Sequence, residues 1–134
     1  MTITKNFARQ ELLVAYVDIN LADVVTAVDK AAIAVPPNSV IISGQVTTTE
    51  AWNSTSTDVL DVGDATSQNR YLNDGNIRAL AALVPLVPTG FITTAAEPNV
   101  TVRWTSGGGT PTTGKARVAI QYYCLGRGET TYGS

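Results

Sequence analysis

The segment Gly109-Thr110-Pro111-Thr112-Thr113-Gly114-Lys115-Ala116 comes within one residue of the phosphate-cradling pattern GxxxxGK[ST]. In that pattern the loop amides and the lysine hold phosphates, the following hydroxyl holds magnesium, and a helix comes next. Here Ala116 stands where the hydroxyl belongs, and the chain beyond Lys115 alternates as a strand. The segment therefore reads as a hairpin loop. A second group, Asp58, Asp61, Asp64, Asn73 and Asp74, could in principle hold calcium or supply a glycosidase carboxylate pair. It lacks the D-x-[DN]-x-[DN]-G loop and reads as turn residues on a solvated loop. With no histidine and one cysteine, Cys124, the chain has no His-based triad, no ordinary Cys/His zinc site and no intrachain disulfide. Cys124 reads as a small core residue. The expectation is a protein that is not an enzyme and carries neither cofactor nor metal.

The remaining candidates concern contact with other molecules. Trp52, Trp104, Tyr122 and Tyr123 could form a sugar-stacking platform, but the strand pattern turns Trp104 and Tyr122 inward and leaves Tyr123 outside. With Thr105 set opposite Lys115, the inward pairs are Trp104–Ala116, Val102–Val118 and Val100–Ile120. The same register sets Arg103 opposite Arg117 on the outer face, where like charges destabilise a sheet. Either an internal carboxylate or an acidic protein partner should relieve that pair. The ends add Phe7 and Arg9 before the first strand and Tyr132 after the last. Phe7, Arg9, Arg103, Arg117, Tyr123 and Tyr132 are thus the candidate protein-interface residues.

These side chains need a scaffold, and its class follows from composition. Among 134 residues there are 19 Thr, 15 Val and 8 Ile, types that suit a pleated, half-buried surface better than a helix. Short apolar runs punctuated by 11 Gly and 6 Pro predict an all-β, antiparallel sandwich. Leu12 to Ile19 is the first strand; it is apolar on both faces and so should be covered on both, by the core and by a loop or neighbouring subunit. In Val40 to Trp52, Val40, Ile42 and Val46 share a face, with a bulge or bend at Gly44. Further strands are expected over Thr57 to Val62, Phe91 to Thr94, Asn99 to Thr105 and Lys115 to Leu125. Asp64 to Gly75 reads as a long polar loop. Ile77, Leu80, Ala81 and Val84 recur at helical spacing and predict one short helix over 76–84. The organisation expected is a flexible N-terminal arm over 1–10, a single β-sandwich over 11–125, and a flexible C-terminal tail over 126–134.

A net charge of −2 and a pI near 4.9 argue against nucleic acid as a partner. Leu12 to Val17 is too short for a signal-peptide core, and Ala79 to Val87 is broken by Pro85 and too short to span a bilayer. No membrane association is expected.

Longer stretches carry a resemblance. Val35-Pro36-Pro37-Asn38-Ser39-Val40-Ile41 runs into Val46-Thr47-Thr48-Thr49-Glu50-Ala51-Trp52-Asn53. Leu60-Asp61-Val62-Gly63-Asp64, Arg70-Tyr71-Leu72 and Gly114-Lys115-Ala116-Arg117-Val118-Ala119-Ile120-Gln121-Tyr122 follow. On these residues Ala31 to Leu125 resembles the capsid cement, or decoration, proteins of tailed bacteriophages. The resemblance implies a jelly-roll of about eight strands that clamps the outside of the phage head. Its partner would be an HK97-like major capsid protein, bridged non-covalently. It further implies a homo-oligomer, a dimer before a trimer, made in the host bacterial cytoplasm and resident on the capsid exterior of the virion. The matched positions are turn and core residues, so no binding residue is carried over. Two other readings stand beside it: a small carbohydrate-binding or host-attachment β-sandwich, and a tail or neck component.

Overall fold

The computed structural model describes residue 5, residues 9–96 and residues 98–125. Among them are eight strands: β1 (Leu13–Asn20), β2 (Val28–Ala34), β3 (Ser39–Glu50), β4 (Asp58–Gly63), β5 (Leu72–Asn76), β6 (Leu83–Pro85), β7 (Asn99–Ser106) and β8 (Lys115–Cys124). One 3-10 turn, Leu21–Asp23, follows β1. The strands form two antiparallel sheets in the orders β1-β8-β3-β6 and β2-β7-β4-β5. β1 pairs with β8, β2 with β7, β3 with β6, and β4 with β5. This is a long antiparallel hairpin rolled into two facing sheets, the jelly-roll arrangement. Because Leu13 is opposite Tyr122, the first and last strands meet at one corner.

Alternation builds the core between the sheets. Ile19, Ile41, Val46, Val118 and Ile120 point inward from one sheet, and Ile33, Leu60, Val62, Val100 and Val102 from the other. Trp104 lies over Trp52 with ring centroids 5.3 Å apart and planes tilted by 36°, an offset pairing that aromatic quadrupoles favour. Both indoles are buried, so neither is available to a sugar. Cys124 is buried beside Ser39.

Several local expectations are corrected. The segment 76–84 is not a helix. Ile77 is buried while Leu80 is 64% exposed, so the two supposed face-mates point opposite ways. Ala81 sits at φ 64°, a left-handed conformation that interrupts a right-handed helix. The backbone instead bonds to β3: Thr48 N–H donates to Ala82 O, Ala81 N–H to Thr48 O and Trp52 N–H to Arg78 O. β5 takes up the last four residues of the expected polar loop and Asn76 beyond it. Phe91 to Thr94 is reduced to one bridge, Ile92 to Val40.

β3 shifts register against β8 twice, between Thr48 and Glu50 and between Ile41 and Ser43, the latter just ahead of Gly44. The extra residue flips the parity of the strand. Ile41 faces in, and Ile42 faces out. Gly44 instead permits a close approach, since a Cβ there would meet Ala119 O and Leu86 Cδ1 at 2.6 Å.

The largest correction concerns β7 and β8. They are not a hairpin; the eight residues between them cross from one sheet to the other. Their apolar faces meet through the core rather than side by side. Arg103 and Arg117 therefore lie on opposite outer faces and are not partners.

Candidate interaction surface

The outer face of the β1-β8-β3-β6 sheet is built by alternation against the buried residues just described. Register places Val14 beside Gln121 and Gln121 beside Ser43; the next row is Tyr16, Ala119, Gln45 and Pro85. The row after that is Asp18, Arg117, Thr47 and Leu83. At the other end, half-buried Tyr123 pairs with Val40, which is bridged to Ile92. Ser43 Oγ donates to Gln121 Oε1. The charges that rise from these three rows belong to one bidentate pair: Arg117 Nε to Asp18 Oδ1 at 2.7 Å and Nη2 to Oδ2 at 3.0 Å. Arg117 also lies over the Tyr16 ring, 4.2 Å from its centroid, a cation–π contact. That hydrogen bond holds the Asp18 carboxyl below its ordinary value and the Arg117 guanidinium above its own. The pair is internally neutralised, leaving hydroxyl, amide and apolar groups.

The face of the other sheet differs in chemistry. Asp29, Arg103 and Asp61 stand in one row across β2, β7 and β4. Arg103 Nε donates to Asp29 Oδ1 at 2.6 Å, which raises the guanidinium further. Asp61 accepts the Asp74 N–H at 2.7 Å. Its carboxyl is pushed above the ordinary 3.8, chiefly by burial and then by the nearby Asp74 charge. Both arginines thus have carboxylate partners inside the chain, and the like-charge pair expected from sequence does not exist.

Asp58 and Asp64 are not solvated turn residues either; both are buried. Asp58 accepts Ser54 N–H at 3.3 Å, Trp104 Nε1–H at 3.1 Å and Arg78 Nη1–H at 3.0 Å, and Ser54 Oγ–H as well. Asp64 accepts the amides of Thr66 and Ser67 at 3.1 and 2.8 Å and is ion-paired to Arg70. Arg70 lies 3.7 Å over the Phe91 ring. Each carboxylate is thereby engaged as a structural pin. Among the described residues no group of three or more Cys, Asp or Glu is placed to hold a metal. The phosphate-loop-like segment is likewise committed. Thr112 and Thr113 N–H donate to Asn53 Oδ1 and Gly114 N–H donates to Glu50 Oε1, and the chain then enters β8.

Of the six candidate interface residues, Arg117 and Tyr123 share the sparsely charged sheet, and Arg103 stands on the opposite one. Arg9 is exposed on the approach to β1. Phe7 and Tyr132 lie outside the described residues. Sequence reasoning missed Leu83 and Val87, both exposed at the β6 side, because a helix was expected around them. The signal that could have found them was Pro85 and Pro88, which exclude a helix continuing through that stretch.

No protein-family model and no curated protein matches the chain. Solved structures do. A chain of the cyanophage Pam1 capsid asymmetric unit is similar with a TM-score of 0.71 and 22% identity, over 92% of this chain and 91% of that one. A chain from the acid-stable capsid of Helicobacter pylori bacteriophage KHP30 gives 0.67 and 13%, over 90% and 93%. A chain of the Ralstonia phage GP4 capsid gives 0.61 and 17%, over 95% and 92%. At these identities the likeness is one of fold, and it extends over nearly the full length of each chain.

Proposed function

We propose that this chain is a virion structural protein of a tailed bacteriophage, a capsid cement or decoration protein. In this reading it binds the outside of the head through the outer face of the β1-β8-β3-β6 sheet and bridges neighbouring major capsid proteins non-covalently. The observation that carries the reading is the pairing of that face with the fold. The face is broad and its one central ion pair is self-neutralised, so little charge must be desolvated on docking. The fold is shared with chains from three phage capsids. A cement needs many modest contacts repeated over a lattice, where multivalency replaces a deep pocket. The buried indoles, stacked on each other, lend nothing to the carbohydrate alternative.

The test is co-sedimentation of the purified chain with undecorated heads of its own phage. Saturable binding is expected, and its absence overturns the reading. Ala119→Arg, in the middle of the proposed docking face, should weaken binding by about tenfold or more. Thr105→Arg on the opposite sheet should leave it unchanged.

A further inference from the structure

We propose, on the basis of the docking reading above, that the patch of the major capsid protein met by the β1-β8-β3-β6 sheet is itself uncharged. It would present apolar and hydrogen-bonding groups, so that docking is insensitive to ionic strength. The four strands of this sheet carry four charged residues, Asp18, Glu50, Lys115 and Arg117. Each has its opposite within the same sheet, Arg117 with Asp18 at 2.7 Å and Lys115 with Glu50 at 4.0 Å. No charge is left over. The strands of the other sheet carry Asp29, Asp58, Asp61 and Asp74 against only Lys30 and Arg103. Asp61 there accepts the N–H of a second acid, Asp74. Among the described residues Lys30 has no carboxylate within 4.0 Å. The excess of carboxylates on those strands matches the formal net charge of the whole chain, −2.

A charged group on the partner would find no free counterpart on this face. Arg117 is held by two hydrogen bonds to Asp18 and lies over the Tyr16 ring. A carboxylate could bind it only by displacing Asp18, which would strand that acid in the contact. A cation drawn to Asp18 would strand Arg117 in turn. Charges sealed into a contact without a partner are strongly unfavourable. What the face does offer is neutral. Exposed Gln45 and half-buried Thr47 bring an amide and a hydroxyl to its centre, with Gln45 directly beside Ala119. Val14 and Tyr16 on β1 and Leu83 on β6 flank them, 63%, 58% and 59% exposed. Large apolar groups gathered on one exposed face mark a contact surface, and their match is an apolar surface. Such a contact forms at short range, whereas salt acts by screening charges that attract or repel at a distance. Docking through the other sheet would be the reverse case, because its unbalanced carboxylates would be screened.

The experiment is co-sedimentation of the full chain with undecorated heads in roughly 50 mM and 500 mM sodium chloride, which shortens the screening length about threefold. The dissociation constant should change by less than about twofold between the two. Gln45→Glu and Gln45→Lys should each weaken binding by about tenfold, and to the same extent, because neither sign of charge has a partner. Asp18→Asn removes the charge that neutralises Arg117 and should weaken binding as well. Gln45 and Asp18 are exposed, so these changes leave the fold intact, and thermal melts of the variants check that. Binding that falls tenfold or more at the higher salt overturns the proposal. So do Gln45→Glu and Gln45→Lys acting in opposite directions, or Asp18→Asn tightening the complex. Salt-sensitive binding that Ala119→Arg still weakens overturns the neutral partner alone and leaves the docking face standing. Absence of saturable binding at either salt overturns the docking reading and the neutral partner together, as does binding that none of these substitutions disturbs.

Discussion

The two sheets share one core but handle charge in opposite ways. The β2-β7-β4-β5 sheet draws carboxylates into its substance: Asp58 and Asp61 on β4 and Asp64 just past it are all buried, each with hydrogen-bond donors in place. The β1-β8-β3-β6 sheet keeps its central ion pair on the surface and fills its interior with aliphatic groups. A buried carboxylate that loses its partners is strongly destabilising, so the first sheet tolerates one arrangement of its loops. A surface pair in water contributes little, so the second sheet is free to change its outer residues. One layer fixes geometry, and the other offers a face.

Substitutions can break that contrast. Asp58→Ala should have the largest effect, destabilising the fold by about 3–5 kcal/mol in urea denaturation, because Trp104 Nε1, Ser54 and Arg78 lose a shared acceptor. Gly114→Ala comes next. A Cβ at Gly114 would lie against the indole of Trp52, closer than real contacts allow, and overpacking of this kind costs about 1–3 kcal/mol. If Asp58→Ala proves no worse than a surface change, the distinction between the sheets fails.

Titration sharpens the contrast further. Asp61 in the folded chain holds its proton above the ordinary 3.8. Its contribution to stability is therefore present below that value and lost as pH rises through the folded one. Asp18 is shifted the other way, so its contribution is present above the ordinary value and lost as pH falls through the folded one. Thermal melts from pH 3 to 7 should show Asp61→Asn gaining on the native chain as pH rises. Asn can still accept the Asp74 N–H, so the comparison isolates the charge. A parallel pH dependence for the two proteins would refute the assignment. Arg117→Ala should show the smallest effect, with no measurable change in melting midpoint at neutral pH. Its consequence should be confined to binding assays.

How far the sequence carried each region follows the same division. β7 and β8 were legible because strict alternation leaves only one face for Val100, Val102 and Trp104, or for Val118 and Ile120. Their partnership was not legible. Parity says which side of a strand is greasy, but two strands with matching patterns can lie side by side or face to face. The eight-residue Gly-Thr loop suited either. β5 and β6 were hidden because they are short and rich in Asn, Asp, Gly and Pro, and edge strands can lack apolar alternation. The buried carboxylates were hidden for another reason. Trp104 lies 46 residues from Asp58 and Arg78 lies 20 away, separations at which no local pattern can announce a hydrogen bond. What the sequence did flag on the outer surface was the two-sided apolar character of Leu12 to Ile19, and the exposed outer face of β1 is where that flag leads.

The meeting of β1 and β8 at one corner also has a mechanical consequence. Force applied between the start of β1 and the end of β8 would act across that ladder at its open end. It would part Leu13 from Tyr122 first and proceed rung by rung toward Asn20 and Lys115. Peeling loads one pair of hydrogen bonds at a time, whereas shear along the strands loads them together. The molecule should thus resist tension directed along its strands and give way readily to tension that draws the start of β1 away from the end of β8.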